Sequence, residues 1–341
     1  MRSPEHATVY NCNTQQSFAV QSKAARGNSI MGTVWMENES YDLCIITTLG
    51  LEFHKFNARL DAMKLSKFSK LGPLHWYQYN HQARAILFCS GPRRCAFVPH
   101  RTLSPFSSSN SSFFSLPRAS VQVLQFSTTS ICKTPKFEPL QSESGGSPLR
   151  RQDFLVGLLY DRLVVAHIKY SSQDLVIFQV GKDCVALLAV QRLFSADESF
   201  LMSLIDSIIA VHFLDSKFSL LFDLRYSCSK AVSAPLPIGA PSGDPDFAED
   251  TDVELVVGKW QLVYPNVVLD ARNGRCWQLR LRLDNIAFSM PDRAAALFFL
   301  LRRLNADEVQ RMMRFGSGCL IKPPAGYIKA AALHSRGQLF L

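Results

Sequence analysis

The feature that most constrains this chain is the recurrence of short apolar runs divided by turn residues. The runs are Asp42–Thr48, Arg84–Ser90, Phe154–Tyr160, Leu163–Ile168, Asp174–Val180, Ser207–Leu214, Phe218–Leu224, Glu254–Tyr264 and Cys276–Leu283. They are rich in Val, Ile, Leu and Phe and lack the alternation of a half-solvated sheet, so they read as strands buried on both faces. They also repeat as units. Leu159-Tyr160-Asp161-Arg162-Leu163-Val164-Val165 leads to Leu175–Val180, and Leu204-Ile205-Asp206-Ser207-Ile208-Ile209 leads to Ser219–Leu224. Asp161 and Asp206 lie 45 residues apart, and Phe178 and Phe222 lie 44 apart. A looser third copy runs from Tyr264-Pro265-Asn266-Val267-Val268 to Cys276-Trp277-Gln278-Leu279. Several short strands per unit at a period near 45 predict propeller blades, each a small antiparallel sheet packed on its neighbours. The fold class expected is mainly β, a WD40-like β-propeller with about five recognisable blades. A β-sandwich with coincidental spacing is the competing reading.

Two stretches read as loops within an expected partial propeller over residues 1–288. Thr102–Ser120 is Ser-rich and poor in charge; Ala234–Asp252 is rich in Pro, Gly and acid. Both are long for connections inside a compact domain, and both are expected to be exposed and poorly ordered. Near residue 289 the texture changes. Ser289-Met290-Pro291-Asp292 fits a helix N-cap with an acid three residues on, and Leu297, Leu300, Leu301 and Leu304 follow at the spacing of one helix face, widened by Phe298 and Phe299. A helical stub is expected over 289–314, either a lid over the sheet or the first helix of a helical interaction region. Residues 315–341 stay unassigned.

Composition narrows the function classes. Of 341 residues, 47 % are hydrophobic and 19 % charged, which suits a sheet-rich, well-buried body. The net charge of +9 is scattered, its adjacent Arg pairs being Arg93–Arg94, Arg150–Arg151 and Arg302–Arg303. That reads as solvated charge and not as a nucleic-acid interface, although a basic patch assembled by folding would suit a membrane surface. The nine Cys include no CxxC pair, which argues against a disulfide framework or a zinc ribbon and for a reducing compartment. No run is long and apolar enough for a bilayer span, and Met1–His6 lacks an apolar signal core. Asn38-Glu39-Ser40 and Asn110-Ser111-Ser112 fit the glycosylation sequon without a secretory context.

The search for chemistry is negative. No phosphate-binding, dinucleotide, zincin or nucleophile-elbow motif occurs, and the eight His are isolated: His54, His75, His100, His167 and His212 sit in or beside expected strands. Asp161 and Asp206, at one point of two repeats, read as turn formers rather than as an acid/base pair. His75-Trp76-Tyr77-Gln78-Tyr79 reads as packing between blades, with a ligand or peptide site as the alternative. Arg93–Arg94, beside the Ser-rich loop, reads as a solvated hairpin end, with a phosphate site as the alternative. No catalytic, cofactor-binding or metal residue is assigned, and no cofactor or small-molecule substrate is expected.

The stretch Trp35…Asp42-Leu43-Cys44-Ile45-Ile46-Thr47-Thr48-Leu49-Gly50-Leu51-Glu52-Phe53 resembles the regulator subunit of the Mon–Ccz guanine-nucleotide exchange complex, the Mic/Bulli family. Trp76-Tyr77-Gln78-Tyr79, Pro135-Lys136-Phe137-Glu138, Ile205-Asp206…Val211-His212…Phe222-Asp223-Leu224, Trp277-Gln278-Leu279 and Pro291-Asp292…Leu297…Phe299-Leu300-Leu301 continue the likeness in the same order, to about Arg303. The resemblance implies an N-terminal propeller followed by an α-solenoid and a non-enzymatic scaffold that binds Mon and Ccz. Through them it would act indirectly on the late-endosomal Rab GTPase (Rab-seven). It implies a cytoplasmic protein, peripheral on late endosomes or lysosomes, serving endosome maturation, endolysosomal trafficking and autophagy. Set against the family, the chain is expected to start inside the propeller and to stop after the first solenoid helix, which predicts poor solubility in isolation. A propeller interaction module outside Rab traffic, or a non-functional truncated product, is the alternative.

Overall fold

The computed structural model describes residues 6–10, 12, 15–22, 28–57, 59, 62–91, 119–139, 149–193, 199–226, 230–237, 260–263, 266–270, 275–281, 283–290, 292–303 and 338–340. The chain divides into two units, one from residue 1 to the region of Arg151 and the other from there to the C-terminus, with short exchanges at 80–83 and 182–184.

The first unit holds the paired strands β1 (His6–Tyr10) and β2 (Ser17–Gln21), then two four-stranded sheets. One is β3 (Ile30–Trp35), β4 (Leu43–Thr47), β5 (Gly50–Asn57) and β6 (Ala62–Lys70); the next is β7 (Leu74–Asn80), β8 (Ala85–Ser90), β9 (Ser120–Phe126) and β10 (Ile131–Lys133). Each is a meander in which every strand hydrogen-bonds its sequence neighbour. β4 and β8 are buried along their whole length, as double-faced apolar runs require. Val34, Cys44, Ile46 and Phe53 from one sheet pack with Ile86, Phe88, Leu124 and Phe126 of the next. Gly32 marks how closely the sheets approach, since a Cβ there would fall inside the Tyr77 hydroxyl.

The second unit repeats the plan. β11 (Phe154–Leu159), β12 (Arg162–Lys169), β13 (Asp174–Val180) and β14 (Val185–Arg192) form one meander. β15 (Phe200–Ile205), β16 (Ile208–Phe213), β17 (Phe218–Phe222) and β18 (Leu236–Pro237) form the next. β19 (Trp260–Val263), β20 (Val267–Asp270) and β21 (Arg275–Arg280) form a third, to which β22 (Gln338–Phe340) adds in parallel. Leu155, Ala166 and Ile177 meet Met202, Val211 and Phe222 in one core; Ile208 and Leu221 meet Val268 and Leu279 in another. The fold is mainly β, of the WD40-like propeller class: among the described residues, four four-stranded antiparallel meanders and a fifth sheet of three antiparallel strands with β22 added in parallel, successive sheets stacked face to face within each unit.

Three expectations need correction. Strand structure was expected up to residue 288, yet Leu283–Ser289 is a helix, α1, followed by α2 (Arg293–Leu300). Leu283 and Ile286, one helical step apart, put their side chains into the core with Val268 and Leu279. The N-cap of α2 is Asp292, not Ser289: Asp292 is extended and its carboxylate accepts from Ala294 N at 2.9 Å, while Ser289 closes α1 by donating to Ile286 O at 2.7 Å. Finally, Asp161 and Asp206 are not equivalent. The first hairpin turns on Tyr160-Asp161 and the second on Asp206-Ser207, all four residues at positive φ as a two-residue turn of this hand demands. The true offset there is 46; it falls to 44 at the next hairpin because β16 is two residues shorter than β12. The expected loops lie outside the described residues except at their ends, 119–120 and 234–237, where Ser120 opens β9 and Leu236–Pro237 forms β18.

Candidate interaction surface

Helix α2 is apolar all round, so its sequence alone does not say which side is covered. The structure buries Ala296 and Phe299 in the core with Ile286 and Met290, and half-buries Ala295 and Leu300. Leu297, Phe298 and Leu301 face outward at 41, 58 and 49 % exposure. The expected single stripe of Leu297, Leu300 and Leu301 is therefore divided between two faces; Leu304 lies outside the described residues.

What fixes this rotation is Arg303. Its guanidinium is wholly buried and pairs with Asp223 at 3.0 Å, the carboxylate at the end of β17 being wholly buried too. The same Nη2 donates to Tyr160 Oη at 2.6 Å, Nη1 donates to Asp206 O at 2.6 Å, and Nε donates to Phe299 O at 3.1 Å. Tyr160 donates in turn to Asp223 Oδ1 at 2.7 Å, and Oδ1 also accepts from Arg225 N at 2.9 Å. Burial first, then the bond to Asp223, pushes the Tyr160 phenol up to about 12, so it remains a donor. Tyr160 N donates to Ser207 Oγ at 3.2 Å, tying the two hairpin turns together, and Arg225 lies over the Tyr160 ring at 4.0 Å. A buried ion pair is tolerated when hydrogen bonds satisfy its remaining donors and acceptors. Here that condition locks the end of α2 onto two hairpin turns and leaves Leu297, Phe298 and Leu301 uncovered.

Of the other residues singled out in the sequence, those described make contacts within the fold. His212, in the middle strand of its sheet, has Nε2 2.8 Å from Ser203 Oγ and Nδ1 2.8 Å from Ser219 Oγ. All three are buried, so this Ser–His–Ser contact joins three strands. Burial pulls His212 down to about 4; His167, stacked on Phe154 at 4.4 Å, is also pulled to about 4, by burial and then by Lys169. His54 lies 3.4 Å from the buried Glu52 carboxylate, which accepts from Ser22 Oγ at 2.7 Å. In the aromatic run, His75 Nε2 lies 2.6 Å from Gly91 O, Trp76 donates to Leu149 O at 2.7 Å and Gln78 to Arg151 O at 2.6 Å; Tyr77 and Tyr79 pack on the inter-sheet core. Asp161 and Asp206 occupy hairpin turns, and Asp206 joins the Arg303 cluster through its backbone oxygen. His100 and Arg93–Arg94 lie outside the described residues.

Sequence reasoning missed the Arg303–Asp223–Tyr160 cluster. Its one signal was an Arg four residues after Phe299 on an apolar helix. Among the described residues no group of three His, Cys, Asp or Glu side chains could hold a metal ion, and no helix is long and apolar enough to cross a membrane. Cys12, Cys44, Cys89, Cys132, Cys184 and Cys276 are free thiols; burial, then Glu52, raises Cys44, and burial raises Cys89 to about 11.

No family model matches the chain. It is 22 % identical over 322 residues to the human protein named regulator of MON1-CCZ1 complex and 21 % identical over 321 residues to the mouse protein of the same name. Each alignment takes in 87 % of this chain and 45 % of the relative, so the chain spans less than half the length of these curated relatives. A solved protein from Lactobacillus plantarum aligns over 81 % of this chain and 76 % of its own at 11 % identity and a TM-score of 0.36, too slight a likeness to bear on the fold. Residue order and overall similarity thus agree on one set of relatives for this chain, the regulators of the MON1-CCZ1 complex.

Proposed function

We propose that this chain is a non-catalytic scaffold or regulatory subunit that binds the MON1 and CCZ1 proteins of a Rab exchange factor. In this reading it acts peripherally on late endosomes and lysosomes, in endosome maturation, endolysosomal trafficking and autophagy. Similarity over 87 % of the chain to proteins named for regulating that complex carries the reading. The exposed apolar face of α2 supports it, because contiguous apolar surface on a folded protein marks a site of association. Leu297, Phe298 and Leu301 stand out from a helix whose other side is pinned by a buried ion pair, so the face is presented rigidly and loses little freedom on binding.

The experiment is co-expression of the tagged chain with MON1 and CCZ1, followed by purification at moderate salt. Stoichiometric co-purification of both supports the reading; recovery of the folded chain without either overturns it.

A further inference from the structure

We propose that Arg303 is a positioning residue that selects between two rotations of α2, and that loss of its buried pair turns the outward apolar face into the core. The proposal rests on the reading above, in which that face meets the partner. At 3.6 residues per turn, Leu297, Phe298 and Leu301 lie about half a turn from Ala295, Ala296, Phe299 and Leu300. The outward set holds two Leu and one Phe; the inward set holds one Leu, one Phe and two Ala. Apolar stabilisation grows with the area buried, so it does not favour the rotation observed. A half-turn roll would bring Leu297, Phe298 and Leu301 against the core that Ile286 and Met290 line.

Nothing within the helix breaks this tie. From Ala294 to Leu301 there is no polar side chain. Apolar contacts carry no direction, whereas hydrogen bonds do. The directional group is Arg303. Its guanidinium meets the Asp223 carboxylate at 3.0 Å, Tyr160 Oη at 2.6 Å and Asp206 O at 2.6 Å. Its Nε donates to Phe299 O at 3.1 Å, which ties the same group to the last turn of α2. A planar fork that serves a carboxylate, a phenol and two carbonyls at once accepts one orientation of the helix that carries it.

A buried ion pair adds little over apolar side chains of equal volume, and fixing a register is its best-attested use. Here the register is the choice of face. With the pair in place, Leu297, Phe298 and Leu301 stay outside. Without it, the larger apolar stripe is free to seek the core, and the partner face is hidden.

The test is a fluorescent reporter, Phe298→Trp, in the full chain. It is placed in the wild-type background and in two released ones: Asp223→Leu/Arg303→Met, and Asp223→Asn, which keeps the volume but removes the charge. Acrylamide quenching is read as the difference from each background without the reporter, since the chain has 4 Trp of its own. Amide exchange across α2 is followed beside it. We expect a readily quenched reporter in the wild-type background, where Phe298 is 58 % exposed. In the released backgrounds quenching should fall toward that of a buried ring, while the α2 amides still exchange far more slowly than unstructured ones. A reporter that stays open in the released chains overturns the proposal, because then the core alone holds α2 or the helix has frayed. Shielding with loss of amide protection overturns it too, being collapse and not a roll. If the double variant does not fold, Asp223→Asn decides. Titration against the MON1-CCZ1 pair separates this proposal from the reading it rests on. Released chains should bind on the order of a hundredfold more weakly. Full binding with a shielded reporter overturns the role of Arg303 in presenting the face. Wild-type chain that binds neither protein overturns the scaffold reading, and the reporter still decides the rotation.

Discussion

Arg303 and Asp223, 80 residues apart in sequence, form an ion pair of 3.0 Å in which neither side chain reaches solvent. Removing one partner of such a pair leaves the other charged and buried, at a cost of about 3–5 kcal/mol. Asp223→Ala should therefore lower the unfolding free energy by that amount. Replacing both, as Asp223→Leu/Arg303→Met, should recover part of the loss. Denaturant titration of the three chains checks this, and hydrogen exchange should show α2 opening first in Arg303→Met, because the guanidinium is what ties it to the turns at Tyr160 and Asp206.

His167 and His212 both titrate near 4 in the folded chain, well below the ordinary value of 6.5. The unfolded chain therefore binds more protons in the window between. Stability is full above about pH 6.5 and falls as pH drops toward 4. Going from pH 7 to pH 5 should cost about 2 kcal/mol per histidine. His167→Phe, which keeps a ring against Phe154, should roughly halve the dependence. A urea midpoint that does not move between those pH values would contradict the burial of both rings.

The approach of β3 to β7 is measured by one atom. Gly32→Ala places a methyl against the Tyr77 hydroxyl and should destabilise by about 1–3 kcal/mol. Tyr77→Phe removes that oxygen but keeps the ring carbon Cζ 2.6 Å from the added methyl, so it should restore only part of the loss in the double variant, and alone it should change little, since its hydroxyl lies 3.5 Å from Met31 O. Additive losses in thermal melts of the two single variants and the pair would rule out this contact as the cause.

What was legible in the sequence follows from burial. The run Asp174–Val180 is β13 to the residue, and Arg84–Ser90 and Phe154–Tyr160 differ from β8 and β11 by one residue each, because strands covered on both faces must be apolar throughout. The outer strands β6 and β14 escaped: both are largely open to solvent, β6 mixing Lys and Ser with Leu and Phe, and β14 ending in Gln and Arg with exposed Ala186, Leu187 and Val190 before them. The repeat register slipped by one because two-residue turns accept Tyr160-Asp161 as readily as Asp206-Ser207, so a shared Asp does not mark a shared place. The covered side of α2 was illegible for a different reason. With Leu or Phe on every side, the rotation is set by Arg303 and by partners 80 and 143 residues away, a relationship that no local spacing records.

The central claim is that the outward face of α2 meets the MON1-CCZ1 pair, and a binding titration of the purified chain against that pair tests it directly. Because Leu297, Phe298 and Leu301 are about half exposed and lie outside the buried core, Leu297→Ser/Phe298→Ser/Leu301→Ser should lower the melt only modestly and leave the chain folded. The account predicts saturable binding by the wild type and a loss of affinity of about a hundredfold or more in the variant, as expected when central apolar anchors are truncated. Equal affinity of the two chains, or no binding by the wild type, would contradict it.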